Sequence, residues 1–378
     1  MKNIRQEYNI KKFDDQVYYV LKSIKKDNLR IMIQGGYGKN NLGDDALLII
    51  LYEKLKGWFP QSDIVAMCHY PRRVEQLYGI PAIGFKSIKT IKGLFWCDVL
   101  IIGGGGIVNV VNTYSGLKYL KIFDMKGKFL FLTSFLVKQR RKKVIFYGVG
   151  MTSIPDKVVK LFMKITLKRV DLVGVRDQLS YQNIEKYITN EKSLYITYDP
   201  ALDYKEGYLD KRVDDNHKNG GRVRKIIIST RAVPDVNATN QVIHVIVALI
   251  NEILKRDDVQ IVLLPVSVHP DKEVENDIYI CRRIYDEVQV KENQVILVDT
   301  YLTPKKIQKM LGEASLILMT RLHGVIVSYD FHIPTVIISY NEKVKLFGEM
   351  AGYQYIYDYY NLNKNQVTDI VNQLLDKG

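Results

Sequence analysis

Cysteine is scarce in this chain: among 378 residues there are three, Cys68, Cys97 and Cys281, an odd and widely spaced set. No disulfide framework fits them and no pair has metal-ligand spacing, so a reduced, cytoplasmic chain with buried thiols is expected. The six histidines are just as sparse. None has a His or Cys partner at ligand distance along the chain, and no acidic cluster resembles a divalent-ion loop, so no metal site and no cofactor is expected. Long hydrophobic runs are missing as well. The longest, Phe129 to Val137, is interrupted by Thr133 and Ser134 and falls far short of the roughly 20 residues that span a bilayer. The N-terminal MKNIRQEYNIKKFDDQ lacks the apolar core of a secretory signal. Nothing repeats at a fixed period and no segment is low in complexity, which excludes solenoids and fibrous arrays.

What is present is an ordinary globular composition with an excess of positive charge. Hydrophobic residues make up 47% of the chain, enough for two cores without disulfides or metals. Lys and Arg outnumber Asp and Glu by 55 to 41, a formal +14, which calls for an anionic partner such as a phosphorylated substrate, a membrane surface or a nucleic acid. No nucleic-acid motif is found, so that partner is set aside. Basic residues mix with aliphatics and aromatics over Lys118 to Lys143, over Lys86 to Trp96 (KSIKTIKGLFW) and, more weakly, over Tyr18 to Lys26. Such segments suit the headgroup layer of an anionic membrane, or else are solvated helix faces.

Strand-like and helix-like segments alternate through most of the length, the signature of parallel α/β layers. Strands are expected at Leu29–Gln34, Asp63–Cys68, Asp98–Ile102, Lys143–Val149, Asp171–Val175 and Leu194–Thr197, with a helix at Asp44–Lys56. Lys205 to Arg222 is polar, charged and ends in Gly-Gly, which reads as a linker. The rhythm then restarts with strands at Lys225–Ser229, Gln260–Leu264, Val295–Asp299, Leu316–Met319 and Thr335–Ser339, and helices at Asn240–Lys255 and Asn365–Leu375. The expectation is two Rossmann-like α/β domains, residues 1–210 and 222–378, facing each other across a cleft, with the site built from loops after strand C-termini.

Several junctions carry chemistry. Gln34 to Asp45 (QGGYGKNNLGDD) joins a strand to a helix; its glycines permit close backbone approach, and Asp44 or Asp45 either caps the helix or handles a sugar hydroxyl. Gly103 to Gly106 directly follows an apolar strand, where close approach of substrate or of the facing domain is expected. Arg176, after the strand ending at Val175, either grips an anion or pairs with Asp177 or Asp199. The sharpest junction is Met319-Thr320-Arg321-Leu322-His323-Gly324, where a cation, a titratable group and a helix start converge. Lys343 or Lys345 adds charge from the next helix, and His269 is a weaker candidate.

Taken together, these residues resemble the polysaccharide pyruvyl transferase family. The motifs are Gly38–Asp45 with its Asn-x-Gly-Asp core, Gly103–Gly106, Tyr147–Gly150, Val175-Arg176-Asp177, Asp199-Pro200-Ala201 and Arg321-Leu322-His323-Gly324, in order over nearly the whole chain. The resemblance implies a fold like that of two-domain GT-B glycosyltransferases, with phosphoenolpyruvate as donor on the C-terminal domain and the acceptor on the N-terminal one. It implies donor contacts from Arg321 and His323, an anion clamp completed by Arg176, a donor-site lysine at Lys343, and further substrate contacts from Leu322, Asn41, Gly104 and Gly105. Where the family often has Glu after Gly-Asp, this chain has Asp45.

The implied reaction moves pyruvate onto a sugar as a cyclic ketal and releases phosphate. His323 would act as general acid or as proton donor to the leaving phosphate, and Asp44 or Asp45 would orient or deprotonate the acceptor hydroxyl. The implied acceptor is a saccharide on a polyprenyl diphosphate, worked on at the inner face of the cell membrane during cell-surface polysaccharide assembly. The rival enzyme reading is a nucleotide-sugar glycosyltransferase of the same fold. Retaining members carry two glutamates with seven residues between them, whereas Glu342 and Glu349 have six. A non-enzymatic membrane or nucleic-acid binding protein leaves the Arg321/His323 junction unexplained.

Overall fold

The computed structural model describes residues 4–8, 10–85, 87–108, 126–151, 157–190, 193–205, 223–289 and 293–377. The expected linker from Lys205 to Arg222 lies almost wholly outside them, as does the first part of the basic segment beginning at Lys118. The chain divides into two compact units. One, here the N-terminal unit, comprises the described residues of Ile4–Gly38 and Asp44–Asp203; the other, the C-terminal unit, takes those from Tyr204 onward together with Lys39–Gly43.

The N-terminal unit opens with helices α1 (Ile4–Glu7) and α2 (Ile10–Lys22) and then winds β1 (Arg30–Gln34), α3 (Leu42–Trp58), β2 (Asp63–Cys68), α4 (Pro71–Tyr78), β3 (Ala82–Gly84), α5 (Ile88–Trp96), β4 (Val99–Val108), α6 (Lys126–Gln139), β5 (Lys143–Met151), α7 (Lys157–Leu167), β6 (Leu172–Val175), α8 (Gln178–Ile184) and β7 (Leu194–Ile196). Its seven strands run parallel in the order β3-β2-β1-β4-β5-β6-β7. Strands buried on both faces need near-continuous apolar sequence, and β1, β4 and β5 have it. One face packs Leu94 of α5, Phe131 of α6 and Met163 of α7 onto Met32, Leu100 and Phe146. The other packs Phe13 of α2 and Leu48 of α3 onto Ile31, Ile33 and Ile101.

The C-terminal unit continues with β8 (Arg224–Ser229), α9 (Val236–Ile253), β9 (Val259–Leu263), α10 (Asp277–Glu287), β10 (Val295–Leu297), α11 (Pro304–Gly312), β11 (Leu316–Met319), α12 (Leu322–Ser328), β12 (Thr335–Ser339), α13 (Glu342–Ala351), β13 (Tyr355–Asp358) and α14 (Lys364–Lys377). Its six strands are again parallel, in the order β10-β9-β8-β11-β12-β13. The switch in winding direction falls between β8 and β11, which is where open parallel sheets hold ligands beyond their strand C-termini.

Two details differ from the sequence reading. The glycines Gly103 to Gly106 lie inside β4 rather than after it, paired with β5 through Gly103↔Tyr147, Gly105↔Val149 and Gly106↔Gly150. Gly105 has φ of +79°, so the strand continues through a conformation that suits glycine and rejects a side chain. Helix α9 starts at Val236, earlier than expected, because Asp235 caps it by accepting the Ala238 N–H at 3.0 Å.

Candidate active site

In the C-terminal unit three neighbouring strands deliver charge to one end of the sheet. β8 and β11 pair up to Ser229↔Met319, and the Thr320 N–H extends the ladder to Ser229 O at 3.0 Å. Arg231 and Arg321 each lie two residues beyond that last pair, side by side at the strand ends. β12, on the far side of β11, runs directly into Tyr340. The Arg231 guanidinium stacks over the Tyr340 ring, 4.2 Å from its centroid, and the Tyr359 hydroxyl donates to Arg231 O at 2.8 Å. Tertiary packing therefore fixes the backbone and side chain of Arg231 alike.

The two arginines are balanced unequally. Arg321 Nε donates to both oxygens of Asp277, at 3.2 and 3.1 Å, and Asp277 is fully buried. Asp277 also accepts the Ser267 N–H at 3.0 Å, so one carboxylate orients both the arginine and the 267 loop. Burial opposes the Arg321 charge, but Asp277 outweighs it and holds the guanidinium pKa above its usual value. Arg231 has no carboxylate partner among the described residues. Burial, and after it the Arg321 charge, push its pKa down. Two desolvated cations sharing one anion form a site with unspent positive potential.

His323 sits in the first turn of α12, and its ring lies flat against Gly43. A β-carbon at Gly43 would fall 2.0 Å from His323 Nδ1, so only glycine fits. Gly43 is held in turn: its N–H donates to Asn41 Oδ1 at 3.1 Å, and Asn41 Nδ2 reaches Ser267 Oγ at 3.3 Å. Leu42 N–H bonds Val266 O at 3.0 Å, and Val268 N–H bonds Asn40 O at 2.7 Å. The Asn-x-Gly half of the motif thus lies with the C-terminal unit and braces His323. Leu322 and Lys343 are partly exposed in the first turns of α12 and α13. Lys345 is exposed and lies 3.9 Å from Glu349, one turn on. His269 is buried, its Nδ1 accepting the Asp271 N–H at 3.1 Å, a loop-fixing arrangement.

The Asp-Asp half of the motif belongs to the N-terminal unit, and its members diverge. Asp45 is fully buried and accepts Gly38 N–H at 2.9 Å and the Tyr78 hydroxyl at 3.0 Å. Its carboxylate closes the glycine loop. Asp44 lies between two glycine segments: β-carbons at Gly36 and Gly105 would come within 3.0 and 2.9 Å of its oxygens. Gly104 and Gly103 are glycine for a nearer reason than substrate approach, since Leu47 and the Tyr37 hydroxyl occupy the space their side chains would need. Arg176 is buried and pairs with Asp199 at 2.6 Å and Asp177 at 3.6 Å, which is the structural alternative the sequence left open. Burial opposes its charge; Asp199 and then Asp177 outweigh it and raise its pKa. A β-carbon at Gly150 would fall 2.5 Å from Arg176 Nε, so Gly150 makes room for the guanidinium.

Sequence reasoning missed Arg231 and Asp277. Arg231 carried the same signal as Arg176 and Arg321, an arginine just past an apolar strand. Asp277 had none, because its partner is 44 residues away in sequence. Among the described residues no group of three or more His, Cys, Asp or Glu side chains is placed to hold a metal.

Comparison with known proteins defines first a class. The Staphylococcus aureus MnaA–UDP structure is 13% identical with a TM-score of 0.60, covering 92% of this chain and 88% of the other. The UDP-GlcNAc 2-epimerase of Methanocaldococcus jannaschii is 12% identical at 0.57, covering 93% of this chain and 100% of the other. Anabaena HepE with UDP-glucose is 11% identical at 0.55, over 93% and 90%. At such identities the likeness is one of fold, the two-domain GT-B-like architecture. No curated protein matches the sequence significantly. A model of the polysaccharide pyruvyl transferase family matches residues 41–342, and with most of its length matched and its motifs in order, this chain belongs to that family of enzymes.

Proposed function

We propose that this enzyme transfers pyruvate from phosphoenolpyruvate to two hydroxyls of a saccharide, forming a cyclic ketal and releasing phosphate. The observation that carries the reading is the Arg231–Arg321 pair over a single carboxylate in the C-terminal unit. Phosphoenolpyruvate brings a carboxylate and a phosphate together, and a site with two fixed guanidiniums and one nearby lysine matches that charge.

In this reading Arg231, Arg321 and Lys343 bind the donor and offset charge as it develops on the departing phosphate. Leu322, between the arginine and the histidine, lines the same turn. A proton is added to C3 while a first sugar oxygen bonds to C2; the C2–O bond to phosphate then breaks and a second sugar oxygen closes the ring. The two hydroxyl protons balance the one gained at C3 and the one carried off with phosphate. His323, held by Gly43 and Asn41, is the proton donor. Asp44 orients or deprotonates the acceptor hydroxyl. Asp45 and Arg176 are spent on Gly38, Tyr78, Asp199 and Asp177 and hold the glycine loop and the end of β6 in place. The acceptor class is a saccharide on a polyprenyl diphosphate, met at the cytoplasmic face of the membrane.

The test is phosphate release from phosphoenolpyruvate with lipid-linked saccharides, with mass analysis of the acceptor. Release that depends on the saccharide and leaves a pyruvylated product is the expected result. Release without an acceptor, or Arg321→Ala turning over at the wild-type rate, would overturn it.

A further inference from the structure

The N-terminal unit carries an apolar, basic face whose chemistry the pyruvyl-transfer reading does not use. Helices α5, α6 and α7 lie side by side over one side of the seven-stranded sheet, with α5 touching α6 and α6 touching α7. Their inward residues, Leu94, Phe131, Val137 and Met163, fill the core. Their outward residues are not what a water-facing helix carries: Ile88 is 76% exposed, Ile91 59%, Phe95 50%, Leu136 45% and Leu161 57%. Spacings of three and four residues put Ile88, Ile91 and Phe95 on one stripe of α5. Isolated exposed aliphatics are unremarkable, but five of them on three adjacent helices mark an interaction surface.

Charge identifies the partner. None of the three helices contains an aspartate or glutamate, and exposed Lys89, Lys92, Lys160 and Lys164 stand among the apolar residues. Arg140 lies over the exposed Phe95 ring at 3.6 Å. The structure also sorts the basic residues of the sequence. Lys138 and Lys143 are paired with Asp171 at 2.8 and 3.2 Å, and Lys142 donates to the Phe95 carbonyl at 2.6 Å, so these three are tied to the unit itself. Cations left outward on α5 and α7 flank aliphatic side chains, the composition of a helix layer that lies in an anionic headgroup region. No helix among the described residues is long and apolar enough to cross a membrane.

We propose that the α5–α6–α7 face docks on an anionic phospholipid bilayer, with Ile88, Ile91, Phe95, Leu136 and Leu161 entering the headgroup–acyl boundary. The full-length protein would be floated with phosphatidylcholine vesicles, with and without phosphatidylglycerol, in the absence of donor and acceptor, so that the outcome is independent of the proposed reaction. Wild type should bind the anionic vesicles, and added salt should weaken binding. Lys89→Gln/Lys92→Gln/Lys160→Gln/Lys164→Gln should lose at least about tenfold in affinity. Ile88→Ser/Ile91→Ser/Leu161→Ser should lose a similar factor, with an unchanged thermal midpoint because all three side chains are exposed. Equal binding to neutral vesicles, wild-type binding by either variant, or a wild-type dimer that the isoleucine variant dissociates would each overturn the proposal.

Discussion

Among the described residues three arginines, Arg176, Arg231 and Arg321, closely follow apolar parallel strands, and the two units treat them in opposite ways. In the N-terminal unit Arg176 meets Asp199 and Asp177, two carboxylates for one guanidinium. In the C-terminal unit Asp277 pairs with Arg321, and Arg231 beside it has no carboxylate partner among the described residues. Arg176 is buried and Arg231 and Arg321 are half-buried, and the sharper difference lies in the partners. A buried arginine with full compensation is a structural element, whereas a pair with half of its charge unanswered keeps potential in reserve for an anion. In the N-terminal unit Asp45 is bound to Gly38 and Tyr78, while Asp44 lies against the glycines Gly36 and Gly105.

Removing each arginine in turn sharpens this comparison most. Arg321→Ala strands Asp277 as a buried, uncompensated charge and should cost about 3–5 kcal/mol of stability as well as activity. Arg231→Ala removes a cation that Arg321 repels. It should lower turnover by about 100- to 1000-fold with the thermal midpoint kept or raised. Equal destabilisation by both, read by calorimetric unfolding, would mean that Arg231 is a structural residue like Arg176.

The two aspartates divide in the same manner. Asp44→Asn should reduce turnover by about 100-fold. Asp45→Asn should instead cost about 1–3 kcal/mol, because buried hydrogen bonds to the Gly38 N–H and Tyr78 are disturbed. If steady-state kinetics and chemical denaturation gave the reverse pattern, the roles assigned to the pair would have to be exchanged. A smaller effect is expected at Gly43, where a side chain would meet the His323 ring. Gly43→Ala should displace the His323 ring and lower turnover by about tenfold to 100-fold, with phosphoenolpyruvate affinity largely retained. A wild-type turnover would show that the ring position is not critical.

How much of this was legible in the sequence depends on burial and range. The strands with continuous apolar runs, such as Leu316–Met319, were readable because both their faces are covered. Ala82–Gly84 and Tyr355–Asp358 were not, since neither strand holds a fully buried residue. Arg321 and His323 stood out as a local pair at a strand-to-helix junction. The bracing of His323 by Gly43 did not, because it joins segments 280 residues apart in sequence that only the fold brings together. Within the glycine run, composition signalled close approach, but only coordinates identify Leu47 and Tyr37 as what approaches.

The central claim is that the strand ends of the C-terminal unit hold phosphoenolpyruvate through Arg231 and Arg321. Isothermal titration of the wild type and of Arg231→Ala with phosphoenolpyruvate, and separately with UDP-sugars, tests it most directly. The account predicts saturable binding of phosphoenolpyruvate to the wild type, lost by at least about tenfold in Arg231→Ala, and no comparable binding of UDP-sugars. Binding of a UDP-sugar in place of phosphoenolpyruvate, or phosphoenolpyruvate binding that ignores Arg231, would contradict it.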